Sequence, residues 1–104
     1  MISDELKSGV KALSDDEYDR AVSLYGPFHS AHEGESVLRE EIEELNAELS
    51  FVKSGQISVW QSVKSNADNL RGVRFLYAHA IYAACEAIQV AAVAKKLMDL
   101  NEGD

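Results

Sequence analysis

Five glutamates within nine residues mark the first place in this sequence where chemistry could be done: Glu40-Glu41-Ile42-Glu43-Glu44, followed by Glu48. On a helix, Glu41, Glu44 and Glu48 fall at spacings of 3 and 4 and share one stripe. That stripe is turned by only about 100° from the apolar positions Ile42, Leu45 and Leu49, so these carboxylates belong at the rim of a core. Glu40 and Glu43 point elsewhere. Like charges one turn apart repel, and no lysine stands four residues on to compensate. Such a rim becomes favourable when it holds a hard divalent cation, which prefers oxygen ligands. The alternative is a solvated acidic face with no ligand.

The second candidate is Glu86 with Gln89, three residues apart inside the most apolar stretch of the chain. A glutamate among alanines, isoleucine and valine is costly to bury unless it is paired or metal-bound. Either a metal or a structural partner such as Arg71, Arg74 or a subunit-interface group would serve. His79 lies two turns earlier on the same face, as a ligand or as a satisfied interface histidine. Cys85 is the lone cysteine, which excludes a disulfide framework and zinc-finger spacing. Its expected role is that of a small buried apolar residue rather than a nucleophile.

Helices must position these groups. One proline and few glycines favour long helices over many short strands. Residues 1–13 are weakly patterned and read as a flexible arm. Ser14 with Glu17 predicts a capping box that starts a short helix over 15–25, which Gly26-Pro27 ends. Ser30 with Glu33 predicts the start of a helix over 31–53, whose seam is Leu38, Ile42, Leu45, Leu49 and Val52, with Gly55 as its stop. Residues 57–65 read as a helical or irregular stretch carrying Val59, Trp60 and Val63. A last helix is expected over 67–100. Its run from Val73 to Val93 is apolar on most sides and therefore expected to be buried on most sides. A chain of this size could hardly cover it, so the expectation is an all-α bundle completed by homo-oligomerisation, as a dimer or a tetramer. Arg71, Arg74, Glu86 and Lys95 interrupt the run too often for a membrane span.

Eighteen acidic against ten basic residues give a formal net charge of −8. A field of that sign repels nucleic-acid phosphates, so no nucleic acid is expected as partner. Free nucleotides remain open, because carboxylate-held cations bridge phosphates to an acidic protein. Met1-Ile2-Ser3-Asp4-Glu5 lacks the basic-then-apolar pattern of a signal peptide, and the expected location is cytoplasmic.

The stretch His32-Glu33-Gly34-Glu35-Ser36-Val37-Leu38-Arg39-Glu40-Glu41-Ile42-Glu43-Glu44-Leu45 resembles the first signature of the MazG-like nucleotide pyrophosphohydrolases, Glu-Glu-x-x-Glu on a helix. Ala84-Cys85-Glu86-Ala87-Ile88-Gln89-Val90-Ala91-Ala92-Val93-Ala94 resembles the second, Glu-x-x-Asp followed by small apolar residues. The likeness is to the small phage and mobile-element members, and it implies one MazG-like helical domain over residues 1–104. It also implies a Mg²⁺ site, with Mn²⁺ as an alternative, that cleaves a nucleoside triphosphate to monophosphate and pyrophosphate. Position by position, Glu41 and Glu44 match the first pair of metal ligands and Glu86 opens the second pair. Gln89, an amide, stands at the fourth acidic position. Glu40 matches the leading glutamate, and Glu40 or Glu41 would take the proton of an attacking water. Lys53 is a candidate phosphate contact, and Trp60 either stacks on a base or anchors the core. The gap between the signatures is long for the family, so 55–70 is expected to be an insertion or remodelled loop. A fold-retaining oligomer without catalysis, acting as a binding or regulatory module, is the alternative function.

Overall fold

The computed structural model describes residues 1–102, and among them there are three helices and no strand: α1 (Asp4–Tyr25), α2 (Ala31–Lys64) and α3 (Leu70–Glu102). The first helix starts at Asp4, eleven residues before the expected start at 15. Ser3 does the capping, its hydroxyl accepting from the Leu6 N–H at 3.0 Å, with Asp4 and Glu5 in the positive first turn. The predicted capping box at Ser14 is thereby overturned. Ser14 is a buried mid-helix residue, and the flexible arm expected over 1–13 is helical from Asp4. Gly26 ends α1 at a φ of 72°, a left-handed conformation that glycine adopts at little cost, with its N–H on the Val22 carbonyl at 2.8 Å.

Ser30 caps α2 as expected, accepting from the Glu33 N–H at 3.1 Å. Gly55 does not stop the helix, which runs on to Lys64, so the break at 53 is absent and the loop expected over 55–70 is confined to 65–69. A single glycine costs a helix only about 1 kcal/mol, and here its missing Cβ serves packing instead. An added Cβ would sit 3.2 Å from both Leu76 Cβ and Phe75 Cδ1. The real stop is Asn66, at a φ of 56°. The Ala67 N–H bonds the Ser62 carbonyl at 2.8 Å and the Asn66 N–H bonds Val63 at 3.2 Å, a Schellman closure. Asp68 then accepts from the Leu70 N–H at 2.9 Å to open α3.

The chain divides into two compact units. The first comprises Met1–Ile42 and the part of α3 from Ala87 on. Segments of three helices meet there, burying Phe28, Ala92 and Val93 together with Ser14 and Lys96. Lys96 lays its ammonium 4.2 Å from the centre of the Phe28 ring, and Lys95 does the same to Tyr18 at 4.3 Å. Lys95 also reaches Asp15 at 3.2 Å, and the Tyr18 hydroxyl donates to Asp99.

The second unit is Glu43–Glu86, an α2–α3 hairpin. Its helices approach closely where glycines face side chains: Gly55 against Phe75 and Leu76, and Gly72 against Val59. Ala83 is its one buried hydrophobic residue among those described. Two helices cover only one side of each other, so the hairpin part of the Val73–Val93 run stays largely exposed within the single chain, where its full burial was expected only with a second subunit. Cys85, expected to be buried, is exposed.

Candidate functional site

Within the hairpin, acidic side chains of α2 and α3 face one another. Glu44 and Glu86 bring carboxylate oxygens within 4.8 Å of one another. Glu48 stands one turn beyond Glu44 on the same stripe, as its spacing predicts. Partial burial pushes the Glu86 carboxyl above the usual glutamate value, and the facing charges of Glu44 and then Glu48 push it further the same way. Glu41 precedes Glu44 by one turn of the unbroken α2, where the first unit ends. Glu86 therefore has acidic neighbours, not the Arg71 or Arg74 partner that was the structural alternative.

The chemical meaning of such a group follows from its donor set. Carboxylate oxygens are hard, anionic ligands, and both partial burial and facing like charge disfavour the ionised form of such an acid. A divalent cation supplies the compensating charge directly. A proton supplies it less well, to one oxygen at a time.

His79 is satisfied by the same stripe. Its Nδ1 lies 2.7 Å from Glu48 Oε2, and because an ionised carboxylate only accepts, the nitrogen carries the hydrogen. The ring is held between Phe51 and Phe75, at centroid distances of 4.7 and 4.4 Å, with Tyr82 edge-on at 5.6 Å. Glu48 was read as part of the acidic stripe and His79 as lying on the Glu86 face, but their pairing was not foreseen. The signal was present, since each lies on the face that the two helices share.

The remaining candidates are placed elsewhere. Gln89 lies in the first unit, where its Nε2 donates to Glu17 Oε1 at 2.9 Å, and Glu17 also pairs with Arg20. Arg20 first, and Gln89 after it, hold the Glu17 carboxyl below its ordinary range against the opposing effect of partial burial. Glu40 is exposed. Lys53 and Trp60 stand about half a turn around α2 from Glu44, since nine and sixteen residues rotate a helix by roughly 180° and 160° beyond whole turns. Both are exposed, and the structure does not bring them to the carboxylates. Trp60 instead has the Lys64 ammonium 6.0 Å from its ring centre.

One feature of the hairpin escaped the sequence reading altogether. Ser54, Ser58 and Ser62, spaced four apart on α2, line a groove of about 390 Å³ with Arg71 and Phe75 on α3. The four-residue spacing was its only signal. No family model, curated protein or solved structure matches this chain.

Proposed function

We propose that the chain is a divalent-metal-dependent nucleoside triphosphate pyrophosphohydrolase of the MazG-like type, releasing nucleoside monophosphate and pyrophosphate. The observation that carries this reading is the approach of Glu44 and Glu86 within 4.8 Å on facing helices, with the Glu86 acid raised first by its partial burial and then by the facing charge of Glu44. These are the positions that the resemblance assigns to metal ligands, and oxygen donors of this charge suit Mg²⁺ or Mn²⁺.

In this reading Glu41, Glu44 and Glu86 hold the cation, which when bound neutralises phosphate charge and acidifies a water. The protein's own part is positional. The α2 stripe spaces its carboxylates one turn apart, and the close hairpin contact at Gly55 and Gly72 fixes how near α3 brings Glu86. The His79–Glu48 pair between two phenylalanine rings keeps the next turn of the stripe engaged and oriented. Glu40, or whichever oxygen of Glu41 is not used as a ligand, would accept the proton of the attacking water.

A second reading is a non-catalytic helical module of the same fold. Gln89 favours it, because that residue brings no charge and its amide nitrogen is already held by Glu17. One experiment separates the two. The purified chain is incubated with each common nucleoside triphosphate and Mg²⁺ or Mn²⁺, and pyrophosphate is measured. The enzyme reading expects release that falls at least about 100-fold in Glu44→Gln and in Glu86→Gln, as removal of a charged transition-state group does. No release with any nucleotide, together with no heat of metal binding, ends it.

A further inference from the structure

We propose that the groove between α2 and α3 near the hairpin turn binds a small phosphomonoester with a hydroxylated body, of the size of a sugar phosphate or a nucleoside monophosphate. The groove belongs to the hairpin unit alone, and its volume of about 390 Å³ lies in the range of small-ligand sites. Ser54, Ser58 and Ser62 fall four apart on α2 and so share one side, each about 6 Å beyond the last. Gly72 faces them from α3, and a Cβ there would stand 3.3 Å from Ser58 Oγ and 3.2 Å from Val59 Cγ2. Its missing side chain keeps the middle of the groove open, with Arg71 beside it and the Phe75 ring as an apolar wall.

The polar groups that line this groove are unengaged. Among the described residues Arg71 has no hydrogen-bond or ion-pair partner, whereas Arg20 and Arg39 each pair with a glutamate on their own helix. Asp68, three residues before Arg71, accepts from the Leu70 N–H at 2.9 Å instead. The hydroxyls of Ser54, Ser58 and Ser62 are likewise without a partner among the described residues. A guanidinium presents its donors as a planar fork that matches a phosphate oxyanion with two parallel bonds. Hydroxyls spread over about 12 Å reach further than one phosphate, and since they both donate and accept they suit a hydroxylated body. An acyl chain offers them nothing, which favours a soluble phosphomonoester over a lipid headgroup.

Charge points the same way. Residues 49–85 carry Lys53, Lys64, Arg71 and Arg74 against Asp68 alone, a net of +3 in a chain of −8, so the remainder carries −11. A phosphate is repelled by most of this sequence and drawn to this one stretch. Arg71 and Arg74, one turn apart, also repel each other mildly, and a bound anion relieves that. The groove is separate from the carboxylates. Ser58 lies fourteen residues beyond Glu44, about 21 Å along α2, and the binding we describe uses no cation. The proposal therefore does not rest on the nucleotide reading.

The test is an amide NMR titration of the full chain with a chelator present, so that the carboxylates hold no metal. The probes are ribose 5-phosphate, adenosine monophosphate, ribose and inorganic phosphate. Both phosphomonoesters are expected to move the amides of Ser54, Ser58, Arg71 and Gly72 saturably, with a Kd of about 1 mM or tighter. Ribose and inorganic phosphate each present half of the ligand and should bind at least about 10-fold more weakly. Arg71→Gln should weaken binding about 10- to 100-fold through loss of a charge-assisted pair, and Ser58→Ala about 2- to 10-fold. Both side chains are exposed, so the fold should be kept. Arg74→Gln, which removes a charge outside the groove lining, should change affinity by no more than about 3-fold. No saturable shift with either phosphomonoester overturns the proposal. So does binding that Arg71→Gln leaves intact or that Arg74→Gln weakens equally, and so does inorganic phosphate or ribose binding as well as the esters. Co-sedimentation with phosphatidylcholine vesicles carrying phosphatidic acid, by a chain that ignores both soluble esters, would give the groove to a lipid headgroup and overturn it too. The titration should be unchanged in Glu86→Gln, which keeps this result apart from the pyrophosphate assay.

Discussion

The same two long helices run through both units of this protein, yet they are packed to different degrees. In the first unit α1 supplies a third partner, and Ser14, Phe28, Gly34, Ala92, Val93 and Lys96 are buried. In the hairpin only Gly55 and Ala83 reach that state, while eleven large apolar side chains, from Leu49 to Tyr82, stay exposed. A helix flanked by two others hides a broad face, whereas one helix flanked by a single neighbour hides a narrow one. Sequence apolarity does not decide the matter, because the hairpin part of α3 is at least as hydrophobic as the part that is buried. The number of neighbours decides it. The hairpin also carries the acidic group, so the chemistry-bearing residues sit where the chain's own packing supports them least.

The sharpest way to break this contrast is to delete the same side chain from each unit. Phe28→Ala empties a position that is 6% exposed, lies over Lys96 and abuts Gly34, and should cost about 3–5 kcal/mol. Phe75→Ala removes a ring that is 39% exposed and touches chiefly Phe51 and His79, and should cost about 1–2 kcal/mol. Urea denaturation measures both. Equal losses would mean that the hairpin is as well packed as the three-helix unit.

Next in size are the glycines, which set how closely helices approach. An Ala at Gly55 meets the Cβ and Cα of Leu76 at 3.2 and 3.3 Å, and backbone yields only if the helix moves. An Ala at Gly34 meets the movable end of Leu97 and the Phe28 ring. Gly9 has open space around it. Each substitution gains about 1 kcal/mol of helix propensity. Gly55→Ala should nonetheless lose about 1–2 kcal/mol net, through overpacking against backbone. Gly34→Ala should lose less, and Gly9→Ala should gain about 0.5–1 kcal/mol. Thermal melts rank the three. A stabilising Gly55→Ala would show that the hairpin contact is loose.

The helical class, the Ser30 cap, and Glu41, Glu44 and Glu48 on one stripe were legible because they follow from local pattern, whereas the nearness of Glu44 to Glu86 was an implication of the family resemblance alone. The misread boundaries have one common cause. Ser14 has the sequence of a cap and Gly55 that of a stop, but a helix ends only where an alternative is better. Ser3 captures the first turn more cheaply, and Gly55 contributes more as a notch against Leu76 than as a terminus. The burial of Cys85 was misjudged for a different reason. Burial depends on how many neighbours the topology supplies, which the pattern of one helix does not encode. The half-turn offset of Trp60 from Glu44 depended on α2 being unbroken, and reading Gly55 as a break lost its register. That of Lys53 was already fixed by the expected helix over 31–53.

The smallest effect concerns charge, and its sign differs between the units. In the hairpin, Glu86 has its acid raised by burial and by Glu44, so the stability it contributes is fully present below the ordinary glutamate range and is lost as pH rises through its raised value. In the three-helix unit, Asp15 is held low by Lys11 and then Lys95, and Glu17 by Arg20 and then Gln89. Their contribution is present above the ordinary carboxylate range and fades as pH falls through their lowered values. All of these groups have access to solvent, so each effect is small. The metal-free chain should therefore be most stable in mildly acidic solution, just above the ordinary carboxylate range, with a shallow fall toward neutrality. Glu86→Gln removes the repulsion and should flatten that fall, raising the neutral-pH melting temperature while leaving the acid limb unchanged. Melting curves stepped from pH 3 to 8 check both limbs. A Glu86→Gln variant less stable than wild type at pH 7 would mean that the carboxylate has a favourable partner in the folded chain, and the charge deficit that motivates the metal reading would vanish with it.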